Sequence, residues 1–208
     1  MISIDNTALQ SLLINSLIGD GVDGFWSETD DSIIVGNKND DSAIRLDNFI
    51  EKNGPLNYDL ALRLMMNLGT QMLALLNNKY GVLFFSLKDI TVVNNNTFIL
   101  TNLSNIVIIN EENMLVLNES IKMNDFISPE MKTKMKTMIE RNKKENNKNE
   151  LTFPFYTYHT ASYYSAALLC IHCLEIDTGM NAIYNSKLYY LLRRCMEPVA
   201  KNRVFLYI

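Results

Sequence analysis

Between Asn57 and Asn77 the chain carries one long segment in which Leu60, Leu64, Leu68 and Leu75, with Met65, Met72 and Leu76, set apolar side chains around most of a helical circumference. A helix that is apolar on so many sides is stable only when other elements wrap it. Asn57 or Asp59 supplies the start signal, because a short polar side chain there caps free backbone N–H groups. The rest of the chain must therefore form a jacket. With 208 residues, 48% of them hydrophobic, it is large enough to do so as one domain with at most a small appendage.

The neighbouring segments are shorter. Thr7 to Leu17 places Leu9, Leu12, Leu13 and Leu17 on a helical stripe, and Ser32 to Gly36 reads as a short strand. Asp40-Asp41-Ser42 caps a helix expected over 43–52, which Asn53-Gly54-Pro55 ends. Leu83-Phe84-Phe85, Thr91-Val92-Val93, Thr97 to Leu100 and Ile106 to Ile109 are β candidates separated by Asn-rich turns. Thr160 to Ile176 reads as a second buried helix, and Lys187 to Met196 as a third, with Leu188, Leu191, Leu192 and Cys195 on one face.

Net charge is −4, so nothing global favours nucleic acid or an anionic membrane. From Lys132 to Glu150, seven Lys or Arg against three Glu make a segment of +4 and leave −8 on the remainder. That acidic body favours a basic peptide as partner. Three sparse cysteines, Cys170, Cys173 and Cys195, form no disulfide framework and suit a reducing compartment. Cys170-Ile171-His172-Cys173 lacks the second pair that a zinc site wants, so packed core thiols are expected. The start Met1-Ile2-Ser3-Ile4-Asp5 has no basic signal-peptide region, and the apolar run Ala161 to Leu174 is short for a bilayer. The expected setting is cytoplasmic. Abundant Asn fits an AT-rich coding genome such as that of a protist or a large DNA virus, with virion association the alternative setting in the viral case.

Phe84-Phe85-Ser86-Leu87-Lys88-Asp89-Ile90-Thr91-Val92-Val93, followed by Phe98 to Ser104, has the spacing of a protein-kinase catalytic loop and metal loop. Three further segments agree in order. Ser128-Pro129-Glu130 looks like the Ala-Pro-Glu motif that closes an activation segment. Tyr164 to Leu169 looks like the start of the central buried helix, and Leu191 to Arg203 like the family's final segment. From Ser42 onward the chain thus resembles the C-terminal lobe of the protein-kinase fold. The fold class this implies is mainly α (α+β): a kinase C-lobe-like helical domain with short β-hairpins, its N-lobe absent or vestigial. Residues 1–41 are expected as an N-terminal extension of helix plus loop, and 42–208 as the lobe, with a basic flexible loop at 132–150 in which Thr133 to Arg141 form a helix candidate ahead of the polar run Asn142 to Asn149. Within the extension, Gly19-x-Gly21-x-x-Gly24 with Lys38 mimics a nucleotide loop, but Asp20 and Asp23 would repel phosphates, and a flexible turn is the expected reading.

The resemblance also locates what is missing. Phosphoryl transfer needs a carboxylate base plus an Asn and an Asp on magnesium. Those positions carry Ser86, Thr91 and Asn102. Neither hydroxyl is a base at neutral pH, and a neutral amide does not offset a divalent cation. No catalytic residue, cofactor or metal is therefore expected. A lobe without partner lobe or catalytic groups is similar to the KIND domain, a protein-interaction module. The resemblance implies a catalytically inactive pseudokinase or scaffold that binds a protein, such as a basic peptide segment, or itself, with no nucleic acid or membrane partner. Phe84, Phe85, Ser86, Lys88, Asn102 and Leu103 are the expected partner surface, and Glu130 with Arg203 the expected structural ion pair. The alternatives are a divergent ATP-dependent phosphotransferase with relocated groups and a structural subunit of a larger assembly.

Overall fold

A computed structural model describes residues 6–17, 24–25, 34–35, 43–118, 124–144, 154–174 and 179–207. In chain order the elements are α1 (Asn6–Asn15), β1 (Gly24–Phe25), β2 (Ile34–Val35), β3 (Ala43–Arg45), α2 (Leu46–Asn53), α3 (Tyr58–Asn77) and β4 (Tyr80–Val82). They continue with β5 (Ile90–Val93), β6 (Thr97–Leu100), β7 (Ile106–Ile108), β8 (Met114–Leu117), α4 (Pro129–Lys144), β9 (Phe155–Tyr158), α5 (Ala161–Cys173), α6 (Gly179–Ala182) and α7 (Lys187–Cys195). The expectation of a mainly α, kinase C-lobe-like helical domain is corrected here. About half of the described residues are helical and about a fifth lie in strands, in four small antiparallel sheets, which fits α+β as a general class and nothing narrower. The N-terminal glycine triplet and Lys38 lie outside the described residues, apart from Gly24 in β1.

α3 is the axis of the core. Asn57 caps it, its side chain accepting from Leu60 N–H at 2.9 Å. Leu64, Met65, Leu68 and Leu75 are fully buried against Leu9 and Leu13 of α1 and Ala166, Leu169 and Cys170 of α5. Its polar interior residues have a specific task. β6 is the edge of the sheet β3-β5-β6, and an unpaired edge in the core would strand its backbone groups. Asn67 accepts from Phe98 N–H at 3.0 Å. One turn on, Gln71 accepts from Leu100 N–H at 2.8 Å and donates to the Phe98 carbonyl at 2.9 Å. The helix thus behaves as a further strand.

Three segments differ from expectation. Leu83 to Phe85, a β candidate, lies outside the strands, and the neighbouring Tyr80–Val82 forms β4 instead. Ala43 to Arg45 is strand rather than the start of a helix, pairing antiparallel with Val93, Val92 and Thr91 of β5; the ladder outweighs local helix propensity. Gly54, at φ +81°, then ends α2 in a conformation only glycine adopts freely. In the third segment, the basic loop expected over 132–150, the helix candidate Thr133 to Arg141 is helix, within an α4 that runs on to Lys144, while 145–150 lie outside the described residues. Among the described residues no helix is long and apolar enough to cross a membrane.

Candidate functional site

The loop from Leu83 to Ser104 leaves β4, makes one turn of 3₁₀ helix at Leu87–Asp89, and returns through the β5–β6 hairpin. The hairpin turns on Asn94 and Asn95, both at positive φ, with Asn96 N–H donating to the Val93 carbonyl at 3.1 Å. Asn tolerates that left-handed backbone better than any residue but glycine.

Asp89 is the organising group. It is 3% exposed. Its Oδ2 accepts from Ser86 N–H at 2.8 Å and from Asn105 Nδ2 at 3.2 Å, and its Oδ1 accepts from Asn102 Nδ2 at 2.7 Å. Asn102 is fixed from the other side, since its Oδ1 accepts from Ser104 N–H at 3.0 Å. The Asp89 carbonyl takes Thr101 N–H at 2.8 Å, and the Thr101 hydroxyl meets that of Thr91 at 3.0 Å. Ser86, Thr91 and Asn102, singled out as degenerate catalytic positions, are therefore joined in one hydrogen-bonded web around a carboxylate that the sequence analysis passed over. Its signal was present: Ser86-x-x-Asp89 has the spacing of a capping box, in which the fourth residue reaches back to the first N–H.

The six expected partner-surface residues separate into two groups. Phe84, Phe85 and Leu103 are buried, which corrects their placement on an open face. The two phenylalanines point into different apolar clusters, Phe84 toward Leu115 and Ile127, Phe85 toward the α3–α5 core. Successive side chains of an extended segment face opposite ways, so the pair is threaded between both clusters. Phe85 N–H donates to the buried Ser165 hydroxyl at 2.8 Å. Ser86 and Asn102 are half-buried and Lys88 is exposed. Near Lys88, Arg45 grips Asp47 with two hydrogen bonds of 2.9 Å. Burial pushes the Asp47 carboxyl up, but Arg45, the Asn48 N–H and the Lys88 charge outweigh it and leave the group below its ordinary value.

Glu130 and Arg203, 73 residues apart, meet in a bidentate ion pair with distances of 2.6 and 2.8 Å. The Arg203 side chain has no exposure and that of Glu130 is 23% exposed. Arg203 Nε also donates to the Glu197 carbonyl at 2.8 Å, and its guanidinium lies 4.9 Å from the centre of the Tyr164 ring. Burial raises the Glu130 carboxyl, while the hydrogen bonds and charge of Arg203 more than reverse this and hold it below its usual range. The buried Ser128 hydroxyl faces the same carboxylate and adds to this lowering.

Cys170, Cys173 and Cys195 are free and buried. Burial pushes Cys173 up to about 12. Burial does the same for Cys195, also to about 12, against the pull of Arg194 and Arg203. Burial, then the two neighbouring cysteines, raises Cys170 well above its ordinary value. Nucleophilicity belongs to the thiolate. Ellman's reagent at pH 8 is therefore expected to modify none of the three until the chain is unfolded; a cysteine that reacts promptly in the native protein would contradict this packing. His172 is exposed and meets Phe126 edge-on at 5.3 Å. Among the described residues no three His, Cys, Asp or Glu side chains are grouped to hold a metal ion. Comparison with protein-family models finds no match, and neither does comparison with curated proteins.

Proposed function

We propose that this chain is a catalytically inactive binding or scaffold module of the pseudokinase or KIND type, acting through protein contacts in a cytoplasmic setting, or in a virion if the source is a large DNA virus. The observation that carries the proposal is the engagement of Asp89. A base for a substrate hydroxyl, or a magnesium ligand, must keep a carboxylate oxygen free to face substrate or metal. Both Asp89 oxygens are instead taken by Ser86, Asn102 and Asn105. The groups at the resembled catalytic positions, Ser86, Thr91 and Asn102, are a hydroxyl, a hydroxyl and an amide. The loop is best understood as a structural tie beneath a binding surface.

Thermal unfolding with magnesium and ATP tests this directly. A ligand at a hundred times its Kd stabilises a protein by about 2.7 kcal/mol, which shifts a chain of this size by several degrees. The expected result is an unchanged melting temperature at millimolar ATP. A clear upward shift would return the chain to the nucleotide-dependent transferases.

A further inference from the structure

The outer side of α3 carries apolar residues that the core does not cover. Leu73 is 58% exposed and Met66 is 38% exposed. They flank Gly69 and Thr70 at helical spacing on one side of the helix. The extended segment 203–207 runs alongside. Phe205 presses so closely on Gly69 that a Cβ there would stand 2.3 Å from the ring, so only glycine admits this contact. With Tyr163 and Tyr207, these residues line an open groove of about 300 Å³. The Phe205 wedge builds the groove before any partner arrives, which lowers the ordering cost of binding.

Among the described residues, cations stand at the Leu206–Tyr207 end of the groove, in a chain whose net charge is −4. Lys187 Nζ lies 5.6 Å from the centre of the Tyr207 ring, and Arg194 donates to the Leu206 carbonyl at 3.0 Å. Arg63 is exposed one turn before Met66 on the same side of α3, and Asp59, a further turn back, is the acid on that side. Charges more than about 8–10 Å away are largely screened at physiological salt, so the local rim, not the acidic total, selects the partner. A volume at the lower end for ligand sites, about 300 Å³, with a lining more apolar than polar suits an apolar side chain better than a polar metabolite. Tyr, Met and Arg are also the residues enriched where proteins meet.

We propose that this groove docks an acidic segment of a partner protein. An apolar side chain enters beside Met66, Leu73 and Phe205, and flanking carboxylates meet Lys187, Arg194 and Arg63. The proposal rests on the interaction-module reading and gives it a location and a partner chemistry opposite to the basic peptide that overall charge favours.

The test is selection of a displayed library of random sixteen-residue peptides on the immobilised full chain, followed by fluorescence anisotropy of the enriched peptides. Expected are sequences rich in Asp and Glu around Leu, Phe or Trp. Their binding should weaken with added salt and fall about tenfold or more with Leu73→Asp, and likewise with Lys187→Glu combined with Arg63→Glu. All three positions are exposed, so unchanged melting temperatures should accompany the loss. Enriched peptides that are basic, or that bind the variants as well as the parent, would overturn the groove and leave the interaction reading standing. No enrichment would overturn the groove, and joined to a magnesium–ATP stabilisation it would overturn both. Tight binding of a sixteen-nucleotide oligo-dT, lost with Lys187→Glu, would make the site one for nucleic acid and also overturn the proposal.

Discussion

Glu130→Ala is expected to destabilise the chain by roughly 3–5 kcal/mol, the cost of leaving a buried guanidinium without its counter-charge. For a protein of this length that is a fall of about 10 °C in melting temperature. The size follows from where the two ends of the pair sit. Arg203 has no side-chain exposure, and its remaining contacts, the Glu197 and Pro198 carbonyls and the Tyr164 ring, carry no full negative charge. Glu130→Gln keeps an acceptor for one of the two Arg203 hydrogen bonds and should cost less. The pH dependence has a definite sign. The folded-state carboxyl is held below its usual value, so its contribution is complete above the unfolded value, about 4.3, and is lost as pH falls through the lower folded one. The gap between wild type and Glu130→Ala should therefore narrow as the solution is acidified below about pH 4. A gap that stays constant across that range would show that the pair is not what Glu130 contributes.

Local patterns in this sequence carried the helices well and the sheets poorly. Tyr58 to Asn77 was visible because its apolar spacing repeats over several turns and Asn57 marks its start. The pairing of β8 with β9, Leu117 against Phe155, joins segments far apart in the chain, and no periodicity within either segment announces the other. Ala43 to Arg45 escapes a local reading for the same reason: its partner is β5, beyond the reach of a local window. The site shows a similar division. The spacing of Glu130 and Arg203 against kinase motifs singled out two residues that the fold brings into contact. Phe84 and Phe85, by contrast, fall on an open face only if nothing replaces a covering lobe, whereas the protein's own two apolar clusters enclose them. A buried carboxylate looks like an exposed one in sequence, and only the Ser86-x-x-Asp89 spacing distinguished Asp89.

Asp89→Ala should cost about 2–4 kcal/mol, since it removes the acceptor from three donors gathered in the interior of the loop, each worth about 1–3 kcal/mol when stranded and less where it can turn to water. A finer comparison separates a structural tie from a site kept for chemistry. In Asp89→Asn the amide oxygen can occupy the Oδ2 position and keep the Ser86 and Asn105 bonds, but the amide nitrogen then faces the donor of Asn102. Turning Asn102 over relieves that clash and gives up its bond from Ser104 N–H. Asn102→Asp alone sets two carboxylates where one bond of 2.7 Å now runs, and their repulsion should destabilise the loop. Asp89→Asn combined with Asn102→Asp exchanges donor and acceptor: the amide at 89 donates to the carboxylate at 102, whose other oxygen still accepts from Ser104. The double variant should recover most of the stability lost by either single one, a coupling within the usual range of about 0.5–3 kcal/mol for groups in contact. Chemical denaturation of the four proteins closes the cycle. Additive losses would mean that Asp89 and Asn102 do not hold each other. Magnesium-dependent stabilisation of Asn102→Asp, with wild type unaffected, would mean that a single amide separates this loop from a metal site.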